Sequence, residues 1–335
     1  MDKREPAMTD VARLAGVSHQ TVSRVLNDHP NVREQTRLRV RAAITELGYR
    51  PNRAARALVT GRSQLLGVVA QNTTLYGPAS LLAAFELVAA EAGFAVSVGS
   101  VGTLDRPSIS EAVERHLDQR VAGIVVIAPV ASANEALAHI PAGVPLVAID
   151  GDPASASALV TVDQVAGASE ATRFLLDAGH PTVWHVSGPA EWFDSAGRIE
   201  GWERTLRAAG AEVPPIVPAD WSAASGYQAG LMLARMPEVT AIFAANDHLA
   251  LGILRAMSER GRRVPDEISI VGFDDVPEAA YFIPPLTTIR PDFGAVARET
   301  LSLLLGQMEI GRPVAERHTI APALVVRDSV AAPPA

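Results

Sequence analysis

From residue 65 onward, short apolar runs alternate with longer stretches in which apolar residues recur every three or four positions. The runs at 65–70, 94–100, 123–128, 146–150, 159–162, 183–187, 241–244 and 268–272 have the length of strands. Stretches at 79–92, 109–119, 166–176, 198–209 and 249–259, among others, have the period of helices. This alternation predicts parallel sheets with helices on both faces. One eight-stranded sheet would satisfy the pattern, but two similar lobes suit the length better. Ligands of such folds sit beyond the carboxyl ends of the strands. Polar residues gather there: Gln71-Asn72, Asp150, Asp163, Asn246-Asp247 and Asp274-Asp275. Strand-end aspartates also cap helices, so Asp247 and Asp275 stay open between a structural and a binding role.

The first fifty residues follow another pattern, three short helices in a row. In the first, Thr9 is the expected cap, Val11, Ala12, Leu14 and Ala15 the apolar face, and Gly16 the stop. Ser18 is the expected cap of the second, which turns Val22, Val25 and Leu26 inward. The third, near 34–47, buries Val40, Ile44 and Leu47 before Gly48. Two helices joined by so tight a Gly16-Val17-Ser18 turn predict a helix-turn-helix, although such a hairpin alone is often plain packing. The exposed residues early in the second helix, His19, Gln20 and Arg24, suit base edges: Gln pairs with adenine and Arg forks onto guanine. Ser18, Thr21, Ser23 and Asn27 suit phosphates.

Charge changes the odds. The chain carries a net −8, but residues 1–63 hold twelve Lys and Arg against six Asp and Glu, a balance of +6. The remainder holds seventeen basic and thirty-one acidic residues, a balance of −14. A basic head on an acidic body fits a chain that meets phosphate only at its beginning. Beyond the third helix, Pro51 breaks the pattern and Asn52 can open a helix of about two turns, too short to stand alone in water. The alternative for this segment is a plain linker.

Thr9-Asp10-Val11-Ala12-Arg13-Leu14-Ala15-Gly16-Val17-Ser18, followed by Gln20-Thr21-Val22-Ser23-Arg24-Val25-Leu26-Asn27, closely resembles the head of the LacI/GalR repressor family. Pro51-Asn52-Arg53-Ala54-Ala55-Arg56-Ala57-Leu58 resembles its hinge helix, and the likeness runs through about 9–325. The resemblance implies a small all-α head on an α/β core of the periplasmic-binding-protein type, with two Rossmann-like lobes. The implied domains are 1–49 for the head, 50–63 for the hinge and 64–335 for the core. Within the core, the N-lobe takes about 64–163 and 291–321, the C-lobe about 164–290 and 322–330. By the same resemblance Leu58 wedges into the minor groove beside Ala55. The implied effector pocket has Asp150, Arg198, Asn246 and Asp274 on hydroxyls, Trp221 and Phe293 as aromatic contacts, and Leu75, Pro78, Leu81 and Ile149 as apolar wall. Three departures bear on the effector. Ile127 and Pro291 stand where a well-studied member has side-chain amides, and Val162 where it has phenylalanine; Gln71 is expected to restore a contact at the mouth. Arg33 stands where that member has serine, which predicts a frayed start to the third helix.

No cysteine is present, and the eight histidines are scattered, so neither a metal site nor a disulfide is expected. No nucleophile elbow or phosphate-binding glycine loop appears, no cofactor is implied, and no enzyme is expected. No run is long enough to span a membrane and no signal segment opens the chain, so a cytoplasmic, nucleoid-associated location is expected. Pro78–Ala92, with Leu81, Leu82, Phe85 and Val88 on one apolar stripe, is expected to pack partly on its own lobe and partly on a second subunit, and Tyr281-Phe282-Ile283-Pro284-Pro285 is a second candidate contact of a homodimer. The last residues lack leucine heptads, so no tetramer is expected. The expectation is a repressor on pseudo-palindromic operator DNA, released by a small sugar, with a galactoside first. Against it stand the same regulator with a corepressor, a sugar-processing enzyme and a free-standing transport protein.

Overall fold

The computed structural model describes residues 6–26, 28–49, 63–71, 75–127, 129, 130, 133, 137, 140, 143–151 and 158–334. The chain divides into two units between Gln64 and Leu65.

The first unit holds α1 (Met8–Ala15), α2 (His19–Leu26) and α3 (Glu34–Leu47). Val11, Val22, Val25 and Val40 are buried together with Ala12, Ala15, Ala43 and Tyr49. Two details differ from the sequence reading. The cap of α1 is Ala7, not Thr9, and the Asp10 carboxylate accepts the Ala7 N–H at 2.9 Å. Leu14 is 46% exposed, because it lies about 100° round the helix from the centre of the face made by Val11, Ala12 and Ala15. Gly16 (φ 65°) and Gly48 (φ 63°) end α1 and α3 in the left-handed region, where glycine carries no Cβ penalty. Helix α3 starts at Glu34 with no side-chain cap from Arg33.

The second unit is built of two six-stranded sheets. The first sheet runs in the order β11 (Arg317–Ile320), β5 (Ala158–Val162), β4 (Leu146–Ile149), β3 (Gly123–Ile127), β1 (Leu65–Gln71) and β2 (Ala95–Val101), all parallel. The second runs β12 (Ala323–Val325), β10 (Thr287–Arg290), β9 (Ser269–Phe273), β8 (Ala241–Ala244), β6 (Trp184–Ser187) and β7 (Val217–Pro218), with only β12 antiparallel. The inner strands β3, β4, β8 and β9 are buried at every position, as a strand covered by helices on both faces must be.

The covering helices are α4 (Tyr76–Glu91), α5 (Arg106–Asp118), α6 (Gln164–Asp177), α7 (Phe193–Ala209), α8 (Ala223–Leu233), α9 (Asp247–Glu259) and α10 (Phe293–Ile310). Since β5 and β11 belong to one sheet and β10 and β12 to the other, the chain passes between lobes after β5, after β10 and after β11. These three passages join the two lobes.

Candidate functional site

Two regions carry candidate chemistry. In the head, Ser18 Oγ accepts the Thr21 N–H at 3.2 Å and lies 2.9 Å from Thr21 Oγ1, which fixes the first turn of α2. His19, Gln20 and Arg24 are exposed, and Ser23 is half-buried. They occupy the side of α2 opposite Val22 and Val25, which are buried. Burial of those two valines is therefore what presents the polar face. Asn27 and the hinge positions Asn52, Ala55 and Leu58 lie outside the described residues.

In the core, a cleft opens between the lobes. Its walls include Leu75, Pro78, Leu81, Ile127, Asp150, Arg198, Trp221, Asn246, Asp274 and Phe293, together with Val162 and Pro291. Ile149 and Gln71 fall outside the wall. Ile149 is fully buried in the core of its own lobe, and the Gln71 amide donates to Gly102 O at 3.4 Å. Tyr76, Pro129, Gln164, Trp192 and Asp194 line the cleft without having been singled out from the sequence.

Each polar wall residue is set by a strand end or a helix start. Asp150 follows β4 with φ 52°, and its Oδ1 accepts from Thr161 Oγ1 at 3.0 Å and the Val162 N–H at 3.4 Å. Asp274 follows β9 with φ 106° and donates its N–H to Ile289 O at 2.8 Å. Asn246 caps α9 through Leu249 N–H and donates its amide to Trp221 O at 3.1 Å, tying the aromatic wall to the helix start. Trp221 itself has φ 72° and lies across Gly188, where a Cβ would come 2.2 Å from its ring. Its indole N–H is buried and has no partner. Trp192 meets Trp221 edge-on at 5.7 Å.

Arg198 holds the centre. Its Nε donates to Gln164 Oε1 at 2.9 Å and its Nη1 to Ala245 O. Its Nη2 lies 3.7 Å from Asp274 and 4.0 Å from Asp194. The guanidinium rests over Phe273 at 3.7 Å, with Trp221 at 5.4 Å. Burial pushes the Asp274 carboxyl up to about 7, against the pull of Arg198 and with a push from Asp194. Burial likewise raises Asp150, and the neighbouring Asp194 raises it further. Asp194 is itself raised by burial and drawn down by Arg198. The other strand-end aspartates are structural. Asp247 accepts from the Val276 N–H and Thr288 Oγ1, and Asp275 pairs with Arg290 and Arg327. Asp163 caps α6 through the Ala166 N–H.

A cleft walled by carboxylates, an amide, a guanidinium and aromatic faces is equipped to bind a polyhydroxy compound. The head and the core each have known counterparts. A family profile of the bacterial regulatory proteins of the lacI family matches residues 7–52, and one of the periplasmic binding protein-like domain matches 172–330. The lactose operon repressor of Escherichia coli (strain K12) is 35% identical over 331 residues, covering 97% of this chain and 90% of its own. The chain belongs to the lacI family. Another relative is the HTH-type transcriptional regulator CelR of Thermobifida fusca, 32% identical over 98% of this chain and 99% of its own. Among solved structures, the lac repressor dimer bound to operator and the anti-inducer ONPF matches with a TM-score of 0.85. It shares 32% identity and covers 98% of this chain and 100% of its own. This lacI-family chain is thus a DNA-binding transcriptional regulator of the LacI/GalR repressor type, with a helix-turn-helix head and a two-lobed core.

Proposed function

We propose that this regulator represses transcription as a homodimer on a pseudo-palindromic operator and is released when a small sugar, a galactoside before others, enters the cleft. The observation that carries the reading is that one cleft draws its polar walls from both lobes. Asp150 comes from the first, Arg198, Asn246 and Asp274 from the second. A ligand that bonds to both prefers one angle between the lobes, and differential affinity for two lobe arrangements is all that induction requires.

His19, Gln20 and Arg24 read bases in this scheme, Ser18, Thr21, Ser23 and Asn27 hold phosphates, and Asn52, Ala55 and Leu58 serve the hinge. The head comprises 1–49, the hinge 50–63 and the core 64–335. The site binds and does not turn over its ligand. The protein works in the cytoplasm, on the nucleoid. The relatives support a carbohydrate: a solved structure is a CelR–cellobiose complex, which matches with a TM-score of 0.72 and 29% identity over 97% of this chain and 99% of that one. Ile127 and Pro291 in the wall offer no side-chain donor. Each absent hydrogen bond is worth about 0.5–1.5 kcal/mol, enough together to move preference among sugars.

The test is a titration of the full chain with galactosides, glucosides and cellobiose, followed by tryptophan fluorescence and by release of labelled operator DNA. A saturable response to one sugar class, reduced in Trp221→Phe and matched by release of DNA, is expected. Tighter DNA binding with the sugar would make it a corepressor, and silence across the panel would end the sugar reading.

A further inference from the structure

The cleft holds three carboxylates around one base. Asp150 comes from the end of β4, Asp194 and Arg198 lie one turn apart at the start of α7, and Asp274 follows β9. Arg198 is the only basic side chain among the described residues lining the cleft. It is 4% exposed, and Gln164, Ala245, Asp274 and Asp194 surround its nitrogens. It cannot turn toward an incoming anion without leaving those partners. Among the described residues, no basic side chain of the elements behind the cluster lines the cleft. His185 on β6 is held neutral by burial, down to about 4, and burial keeps the Tyr76 phenol of α4 protonated. Asp247 is bonded to Val276 and Thr288, and Asp275 is consumed by Arg290 and Arg327. Fully ionised, the cluster carries two uncompensated negative charges.

We propose that Asp194, with Asp150 and Asp274, sets the charge class of the effector: an uncharged polyhydroxy compound is accepted, and phosphorylated sugars and sugar acids are rejected. This rests on the effector reading above. Hydroxyls donate to carboxylates, so a neutral sugar gains bonds from the same groups that repel a phosphate. A phosphate ester brings about −1.5 to −2 charges into a buried site where like charges are poorly screened. The two ligand classes therefore respond oppositely to pH. A neutral sugar favours the ionised carboxylates and tightens as pH rises through the raised titrations of Asp274 and Asp150. A phosphate ester favours the protonated forms and weakens over the same range.

The experiment is calorimetric titration of the full chain with galactose, glucose and lactose, each beside its 6-phosphate, at pH 6 and pH 8. Wild type is compared with Asp194→Asn and, should that variant fold poorly, Asp194→Ser. The expected result is a parent sugar at least about tenfold tighter than its phosphate at pH 8. That ratio shrinks at pH 6 and falls about tenfold in the Asp194 variants at pH 8, whatever happens to absolute affinity. A phosphate ester binding as tightly as its parent at pH 8, or a ratio that ignores Asp194, overturns the proposal and leaves the sugar reading standing. Binding of neither class at either pH removes both.

Discussion

Asp274 is 8% exposed and adopts φ 106°, a backbone region that non-glycine residues rarely enter, and its carboxyl titrates at about 7. Its folded value lies above the ordinary carboxyl value, so between about pH 4 and pH 7 the native state binds more protons than the unfolded chain. Stability contributed by the neutral acid is thus present at low pH and is lost as pH rises through that window. Asp274→Asn cannot ionise and escapes the loss. Without sugar, the variant should be more stable than wild type by about 1–3 kcal/mol at pH 8 and nearly equal to it at pH 4.5. Thermal unfolding at the two pH values checks this, and a variant less stable at pH 8 would mean that the pair with Arg198 outweighs desolvation. The proposed binding role would account for a charge kept at this cost. Asp150, Asn246 and Asp274 were legible in the sequence because each follows an apolar strand run directly or nearly so. Trp192 and Asp194 were not, because they open a helix whose apolar periodicity does not reveal which lobe junction its first turn faces. Their only signal is that Asp194 precedes Arg198 by one helical turn.

Helices α8 and α9 show how element packing sets the site. They meet through glycines: a Cβ on Gly252 would stand 2.0 Å from Ala223 O and 2.4 Å from Tyr227 N, and one on Gly226 would stand 2.3 Å from Leu249 O. Backbone cannot yield as a side-chain tip does, so Gly252→Ala forces the helices apart at a cost of about 3 kcal/mol. Trp221 lies two residues before α8 begins and Asn246 caps α9, joined by a bond at 3.1 Å, so the same change should weaken sugar binding. Denaturant unfolding and sugar titration of the variant read both effects, and an alanine costing less than about 0.5 kcal/mol would show that the helices separate freely. Fully apolar inner strands such as β3 and β8 could be placed from sequence alone. Others could not. Strand β10 begins with Thr287 and Thr288, both fully buried, and Thr288 Oγ1 satisfies Asp247. An interior strand that carries its own hydrogen-bond partners reads as a polar loop. Strand β11 alternates exposed and half-buried residues at a sheet edge, and its pairing with β5 depends on a lobe crossing that no local pattern announces.

The whole molecule divides its charge, +6 in residues 1–63 and −14 in the rest, so phosphate is drawn to the head and turned away by the core. A head of three short helices presents few base contacts, and useful operator affinity needs two heads on one two-fold axis. The core leaves large apolar side chains in solvent that its own fold does not need: Leu87 on α4 is 63% exposed, Tyr281 85% and Ile283 92%. Leu81 and Phe85, by contrast, pack into their own lobe, as part of this helix was expected to do. One chain by itself supplies polar groups to the cleft from both of its lobes. Separating the subunits should therefore spare sugar binding and spoil DNA binding. Ile283→Asp places a charge where a two-fold contact would bury isoleucine. Light scattering should show the mass moving toward monomer at micromolar concentration. Operator affinity should fall at least about tenfold as the second head becomes a separate partner, while sugar affinity stays within about twofold. A variant that stays dimeric and holds its operator would place the interface elsewhere. Loss of sugar binding along with DNA binding would mean that the cleft depends on the second subunit after all.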